Sequence, residues 1–518
     1  MDSWAVTTAG SARMRTAMNL QTEGLNPDRL WAAEVISRIG RDDSEIRICT
    51  IDCRRVGDSG GENPMTFAPR LVLASISIFL LAAVAPRLSV PHPSTRYVPI
   101  HRSAPASTDA QQGAEQAYSL PADKLDKAIA LSRIRNILDI AYSLWGLAVL
   151  WLLLASRWAA GLAAWAERKA KRHWMQGLLF FAVLLVLLTA ANLPLDWYGH
   201  HVSRSYGISV QSWGNWCADM AKSLGLSVLI GAPVLLFFNW IVRRWPRRYW
   251  LGAWVAAMPL MVLATFASPL VEPVFNTYEP LAKSNPALVS ELERIVARTG
   301  TDIPPGRMFL MKASLKTNGL NAYVSGIGPT KRIVVWDTTA GRIPNDEILF
   351  IFAHESGHYV LHHIVKGLAV AAAVLFFVFW GCAGFANWLV RRFGARWRVG
   401  RPEEGIAALP TRAGFVVLLF TVSVASLVLE PVGNAVSRSI EHEADVYGQE
   451  AIHGLVPDPQ KTAVAAFNAL GEAWLEDPNP SPFIEFWTYS HPSTQTRANF
   501  AAHYDPWANG GHGEFFKQ

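Results

Sequence analysis

Long uninterrupted apolar runs alternate with polar segments along the 518-residue chain. Seven runs come near the ~20 residues that a helix needs to cross the hydrocarbon core of a bilayer. They cover residues 71–85, 137–155, 175–193, 224–242, 251–270, 368–390 and 415–429. The first and last runs are shorter than the rest, which suits tilted or partly protein-buried helices. The pattern predicts a mainly helical protein with seven membrane spans.

Between the fifth and sixth runs, residues 271–365 have the mixed pattern of a soluble α/β lobe. An amphipathic helix is predicted at 286–298, and a second helix begins at Asp346 and continues toward the sixth run. Short apolar stretches bounded by Gly and Pro predict strands at 307–311, 322–324 and 332–336. A further helical stretch, 435–475, follows the last run.

The chain therefore divides into five segments. Residues 1–64 are polar, mixed in charge and without periodicity, and we expect this N-terminal extension to be disordered. Pro86 directly follows the small-residue site at the end of the first run, which favours an uncleaved anchor over a signal peptide. The remaining segments, in chain order, are 65–270 with spans one to five, 271–365 as the lobe, 366–432 with spans six and seven, and 433–518 as the C-terminal part of the lobe.

Composition supports a membrane protein, with 51% hydrophobic and only 17% charged residues. The net charge of +6 comes with Lys and Arg clustered beside the apolar runs, at 168–172, 243–248 and 391–401, so no nucleic-acid partner is expected. The positive-inside rule places these segments in the cytoplasm and the lobe on the outer side, the periplasm of a bacterial inner membrane. The four cysteines form no CxxC pair, which disfavours a thiolate zinc site.

The segment HESGH, residues 354–358, carries the candidate chemistry. His354 and His358 are one helical turn apart on the same face, so their imidazoles can share one metal ion. Glu355 projects beside that face and can accept a proton from zinc-bound water, with three protein ligands leaving a fourth position open. The pattern predicts one zinc ion per chain and a zinc-dependent endopeptidase.

Spacing leaves the third zinc ligand open. His362 would lie about 12 Å from His354 on a continuous helix, so His362 and His363 are expected on the helix surface or behind a ligand. Glu441 and Asp445 share one face of the later helix, so that one can bind zinc while the other orients a ligand histidine. Glu443 is as close in sequence, and spacing does not choose between it and Glu441.

Several separate motifs resemble the integral-membrane gluzincin family of the type I CAAX prenyl endoproteases, to which the HtpX-like proteases are related. They are HESGH together with Asn192–Tyr198, Val274–Leu281, Asn321–Tyr323, Lys331–Thr338, Ser437–Asp445 and His491-Pro492 with Arg497. The resemblance implies a seven-helix transmembrane barrel that encloses a chamber, with a gluzincin-type α+β zinc protease lobe. It also implies Glu441 as the third zinc ligand.

The same resemblance assigns further roles. Asn321 and Ala322 would belong to a strand edge that binds an extended substrate, and Asp445 would stand behind the ligands. His491, with Arg497, would face the oxyanion formed when water attacks the carbonyl. The implied partners are the lipid bilayer and a peptide or small-protein substrate, CaaX-type prenylated chains among them.

Two other functions remain open on the sequence. An HtpX-like quality-control protease would share the chemistry but usually has fewer spans. A non-catalytic membrane scaffold or transporter with a structural zinc is disfavoured by Glu355, because structural zinc sites close with four ligands and need no base.

Overall fold

The computed structural model describes residues 117–326 and 328–517. The N-terminal extension and the first predicted span, residues 71–85, lie outside them. The helices are α1 (Ala122–Ala155), α2 (Trp158–Lys169), α3 (His173–Ser205), α4 (Trp213–Leu226), α5 (Ala232–Arg244), α6 (Tyr249–Phe275), α7 (Leu281–Ser284), α8 (Pro286–Thr299), α9 (Asp337–Ala340), α10 (Asn345–Val360), α11 (His363–Trp397), α12 (Arg412–Ile452), α13 (Pro459–Trp474), α14 (Pro482–Thr488) and α15 (Thr494–His503). The strands are β1 (Tyr278–Pro280), β2 (Met308–Met311), β3 (Ala322–Ser325) and β4 (Arg332–Trp336).

Six of the seven predicted runs fall on long helices. In the described part of the chain, five spans are long and apolar enough to cross a membrane: α1, α3, α11, α12, and α4 with α5, which join through a π-helical turn at Ser227–Gly231. A sixth, α6, bends by 60° between Ala264 and Pro269. Proline removes a helix hydrogen bond and clashes with the preceding turn, which explains a bend there. The chain is thus a multi-pass helical membrane protein, and the seventh span and the chamber stay predictions.

Two boundaries differ from the sequence-based expectation. The apolar runs 175–193 and 224–242 suggested a long loop between them. The loop is short, residues 206–212, because α3 continues past its apolar run and α4 begins at Trp213. Beyond its apolar run, α3 packs against aromatic side chains of α4: His200 stacks on Trp216 and packs edge-on against Trp213. Helix α12 likewise continues through Pro431 and joins the last span to the segment with the third candidate ligand.

The basic segments meet at one end of the helical bundle. Arg157, after α1, donates from Nε to the Arg396 carbonyl at 3.1 Å, near the end of α11. Arg412, at the start of α12, pairs with Glu167 of α2 at 2.7 Å. Apolar packing of Phe180, Trp397 and their neighbours fills the bundle at this end. The lobe lies at the other end of the spans, because α1 begins there and α3, α6 and α12 return to it.

The lobe contains a four-stranded sheet in the order β1-β2-β4-β3. Strands β2 and β4 are parallel, and the other two pairings are antiparallel. The three predicted strands are present within one residue, whereas β1 was missed, since three residues ending in Pro280 give little strand signal. One sheet face, with Ile333 and Val335, packs on the buried run of α10. Strand β3 lies at the edge, beside α10.

Candidate active site

Helix α10 forms from a buried apolar run, Ile348–Ala353, that leads directly into HESGH. Its periodicity places His354 and His358 on one face, and their Nε2 atoms are 3.2 Å apart. His354 is buried and His358 is partly buried. The two imidazoles therefore point at one common position.

The carboxylate of Glu441, on α12, reaches the same position from the side opposite the two histidines of α10. Its Oε2 is 3.3 Å from His354 Nε2, and its Oε1 is 3.6 Å from His358 Nε2. The ligand atoms of the three residues all lie within 4.8 Å of one another. Glu443, the alternative that spacing left open, instead contacts His363, with 3.2 Å between Oε2 and Nε2.

Two glycines allow α10 and α12 to cross closely enough for this arrangement. A Cβ on Gly448 of α12 would lie 2.9 Å from the His354 backbone nitrogen, closer than side chains pack. A Cβ on Gly357 of α10 would meet the Tyr447 ring at 3.0 Å. Larger residues at these positions would push the carboxylate helix away from the histidines.

The donor set fits a zinc ion. Glu441 Oε2 is buried and has no hydrogen-bond donor among the described residues. The histidines use their other ring nitrogens elsewhere: His354 Nδ1 lies 2.9 Å from Asp445 Oδ1, and His358 Nδ1 lies 3.1 Å from His363 Nδ1. A ligand histidine bonded through its second nitrogen to a carboxylate is the usual arrangement at zinc. Two imidazoles and one carboxylate also match a three-ligand zinc site.

Asp445 is in turn held by Arg497 of α15. The guanidinium contacts both carboxylate oxygens, at 2.8 Å from Nε to Oδ2 and 2.6 Å from Nη2 to Oδ1. Its Nη2 is also 3.9 Å from Glu441 Oε2. Burial lowers the pKa of His354, but the neighbouring carboxylates of Asp445 and Glu441 outweigh it and raise that pKa above its ordinary value. A metal binding here would therefore displace a proton from His354.

A break in the helix sets the other side of the site. Helix α10 ends at Val360, and His362 adopts a left-handed backbone with φ of 59° before α11 begins. The continuous helix assumed from the sequence is thus interrupted, and the buried His363 turns back to contact His358. The exposed His362 points elsewhere, consistent with an expected surface position.

Glu355 lies between the two histidines and faces strand β3. Burial is the main influence on its carboxyl and raises its pKa to about 7, although His354 and the Val324 N–H act in the opposite direction. The Val324 N–H donates to this carboxylate, and the Tyr359 hydroxyl, one turn later, donates to the Gly326 carbonyl at 2.9 Å. Sequence reasoning missed Tyr359, which marks where the strand and the helix come together.

Strand β3 presents part of its backbone toward the site. The Trp336 N–H donates to the Asn321 carbonyl, and the register pairs Tyr323 with Val334. Because antiparallel pairs alternate between bonded and open, Ala322 and Val324 turn their main-chain groups away from β4. Those of Val324 contact Glu355 and Tyr359, whereas those of Ala322 face the open edge. Those of Asn321 do not, since its N–H and carbonyl both contact Thr339 Oγ1. The Asn321 main chain is therefore bonded within the lobe, whereas the Ala322 main chain faces the open edge, and the substrate-binding roles expected of both residues stay predictions.

His491 completes the group from the segment before α15. Its Nε2 lies 3.4 Å from Glu441 Oε1, and the Ser490 hydroxyl lies 2.9 Å from its Nδ1. Burial lowers the pKa of this imidazole. The structure thus brings His354, His358, Glu441, Glu355 and His491 to one place, with Asp445 and Arg497 directly behind.

A multi-pass helical bundle bearing this histidine–carboxylate site defines the class as an integral-membrane metalloprotease. Residues 282–505 match the profile of peptidase family M48, and residues 107–277 match that of the CAAX prenyl protease N-terminal region with five membrane helices. The chain belongs to the type I CAAX prenyl protease family within M48. The resemblance drawn from the sequence motifs is therefore confirmed.

Individual relatives support this assignment. The chain is 33% identical to an uncharacterized metalloprotease, YhfN, of Bacillus subtilis over 75% of this chain and 88% of the relative. It is 27% identical to CAAX prenyl protease 1 of Saccharomyces cerevisiae, over 62% of this chain and 71% of the relative. The crystal structure of S. mikatae Ste24p has a similar fold, with a TM-score of 0.60 at 23% identity over 73% of this chain and 89% of that chain.

Proposed function

We propose that the protein is a zinc-dependent endopeptidase that hydrolyses extended peptide segments, with His354, His358 and Glu441 as the zinc ligands. The observation that carries the proposal is the convergence of three ligand atoms from two helices beside the raised-pKa carboxyl of Glu355. Zinc held there supplies Lewis acidity, which polarises a carbonyl and acidifies water.

Glu355 is the general base in this proposal. Its carboxylate lies beside the ligand face and accepts the proton from the attacking water, then returns it to the leaving amine. Without metal, burial raises the pKa of this carboxyl to about 7. A cation on the neighbouring ligands would favour the ionised form and lower that pKa.

The substrate backbone is held by strand β3. An extended peptide adds to an open strand edge through its main chain, and the Ala322 groups that face the site are suited to this. His491 supplies the oxyanion donor. If the Ser490 hydroxyl donates to Nδ1, the neutral ring carries its proton on Nε2, the nitrogen that faces the site.

The first test uses Glu355→Gln, which keeps the side-chain size but removes the base. Purified protein in detergent is stripped with a chelator, reloaded with zinc and assayed on a library of internally quenched decapeptides. We expect equal zinc content but a loss of roughly 10²- to 10⁴-fold in turnover. A variant that retains zinc and full hydrolysis would exclude this mechanism.

A second measurement concerns the substrate class. Proteins named CAAX prenyl protease are among the relatives, so the matched probes are one CaaX peptide with and without a farnesyl group. Preferential cleavage of the farnesylated probe supports a prenyl-peptide substrate, whereas indifference to the lipid favours a general membrane-protein protease of the HtpX-like kind.

We propose that the lobe faces the outer side of the membrane, since the basic segments meet at the opposite end of the bundle. Single cysteines at Glu293, exposed on α8, and at Ser156, exposed after α1, report the two sides in a cysteine-free background. Labelling of Glu293→Cys in intact cells by an impermeant maleimide, without labelling of Ser156→Cys, is expected. The reverse pattern would place the lobe in the cytoplasm.

A further inference from the structure

A buried carboxylate at the end of a membrane helix joins three strands of the lobe. Glu272 lies in the last turn of α6 and is 7% exposed. Its Oε2 accepts three hydrogen bonds: from Tyr278 Oη at 3.0 Å, from Tyr323 Oη at 2.9 Å and from Arg332 Nη2 at 2.6 Å. A buried carboxylate oxygen that accepts three hydrogen bonds, one of them from a cation, forms a rigid junction.

The three donors come from different strands. Tyr278 belongs to β1, Tyr323 to the edge strand β3 and Arg332 to β4. Arg332 also donates from Nε to Ser325 Oγ at 3.0 Å and stacks over the Tyr278 ring, 5.1 Å from its centroid. The carboxylate of Glu272 is thus connected to β3 at two positions, directly through Tyr323 and indirectly through Ser325.

These contacts lie on the sheet face away from α10. Tyr323 packs with Met311, Val334 and Trp336, whereas Ala322 packs with the buried run of α10. Successive side chains of a strand point to opposite faces, so Tyr323 holds β3 from the face away from α10, while the neighbouring Ala322 turns its main-chain groups to the open edge. Burial raises the pKa of Tyr323, so its hydroxyl stays protonated and remains a donor.

The strand held in this way is short and pairs, among the described strands, with β4 alone. Its four residues give few ladder bonds, so its distance from Glu355 depends on contacts outside the sheet. The Glu272 network supplies such a contact and connects it to the membrane helix α6.

We propose that Glu272 and Tyr323 are positioning residues, which fix the substrate-binding edge of β3 relative to Glu355. The inference rests on the proposed function, because it assigns a substrate to that edge. Neither residue touches the reacting atoms. The network acts on how well an extended peptide is bound, and its effect falls on KM more than on kcat.

The two tyrosines provide a matched pair of variants. Tyr323→Phe and Tyr278→Phe each remove one hydroxyl from the same oxygen at nearly the same distance, and both lose the 3.4 Å contact between the hydroxyls. Only Tyr323 lies on β3, the edge strand beside Glu355, whereas Tyr278 lies on β1 at the opposite edge of the sheet. With the quenched peptide that the wild type cuts fastest, we expect KM to rise about tenfold in Tyr323→Phe, with kcat within twofold. Tyr278→Phe should keep KM within twofold.

Hydrogen exchange gives a second readout that needs no substrate. In zinc-loaded protein the amides of residues 320–326 should exchange several-fold faster in Tyr323→Phe than in Tyr278→Phe. Glu272→Gln retains an acceptor oxygen and should lie between wild type and Tyr323→Phe in both assays. Glu272→Gln removes the charged partner of Arg332 and could prevent folding; in that case the comparison of Tyr323→Phe with Tyr278→Phe still tests the proposal.

The outcomes separate the two proposals. Equal KM and equal exchange in the two tyrosine variants would show that the network only stabilises the fold and would overturn the positioning role. A wild-type protein that binds zinc but cuts no peptide in the library would overturn the proposed function, and this inference with it.

Discussion

Replacing Asp445 with asparagine tests whether the residues behind the ligands set zinc affinity. The Asp445 side chain is buried, and both of its oxygens are used: Oδ1 by His354 and Arg497, and Oδ2 by Arg497. Asparagine keeps the volume but offers one acceptor oxygen and adds two donors. Its amide nitrogen must then face His354 or Arg497, both of which already donate toward this position.

Two separate losses follow from Asp445→Asn. The carboxylate that orients His354 is gone, and losing such a partner lowers metal affinity by about 10- to 100-fold, or ~1.4–2.7 kcal/mol. Arg497 also loses its partner in a buried ion pair, which costs about 3–5 kcal/mol in the free energy of unfolding. In the double variant Asp445→Asn/Arg497→Met the unpaired charge is removed, so part of the stability returns while zinc affinity stays low.

The assay combines zinc competition against a chromophoric chelator with thermal unfolding, on wild type and both variants in detergent. Glu443→Gln is the matched control on α12, since its carboxylate is 43% exposed and reaches a ligand histidine only through His363. Its zinc affinity should fall less than that of Asp445→Asn. Wild-type zinc affinity in a destabilised Asp445→Asn protein would refute the reasoning and leave Asp445 a purely structural role.

Two further predictions concern the ligand helices. Gly448→Ala places a methyl group against the His354 backbone, so we expect about 1–3 kcal/mol lower stability and weaker zinc binding, whereas Gly433→Ala on the same helix, with open space around it, should bind zinc normally. Equal zinc affinity in the two variants would contradict the close-crossing argument. In metal-free protein, the raised pKa of Glu355 means that the folded state resists an ionisation that the unfolded chain undergoes from about pH 4.5 upward. Glu355→Gln should therefore stabilise metal-free protein above pH 7 by roughly 3 kcal/mol, and this gain should vanish as the pH falls toward 4.5. A pH-independent gain in thermal unfolding would contradict the raised pKa.

The parts of the molecule predicted from sequence are those governed by local periodicity. The spacing of His354 and His358 requires a shared helix face, and long apolar runs produce long helices whatever their tertiary contacts. The choice of Glu441 over Glu443 came from resemblance alone. The structure gives its physical basis, because Glu441 points between the histidines while Glu443 points at His363.

The missed features depend on contacts between distant segments. The helix break at His362 has no proline or glycine to announce it, and Pro431 would suggest a break in α12 where none occurs. Glu272 contacts residues that lie 6, 51 and 60 positions after it in the chain, so the network cannot be recognised within one short stretch of sequence. The sequence shows Gly448 as a small residue in a helix, but only the structure shows that its lack of a side chain lets α12 approach the His354 backbone.

The site is built from helices that belong to the membrane region as much as to the lobe. Helix α10 leads within two residues into the span α11, and α12 carries a span and Glu441 without interruption. The crossing of α10 and α12 that forms the ligand group is therefore fixed partly by packing in the bilayer, as is the edge strand through Glu272 of α6. Residues 271–365 alone would contain the HESGH helix and Glu272 but lack Glu441, His491 and most of helix α6, which carries Glu272. The geometry of this candidate site is thus set by the membrane helices α6, α11 and α12 together with the lobe.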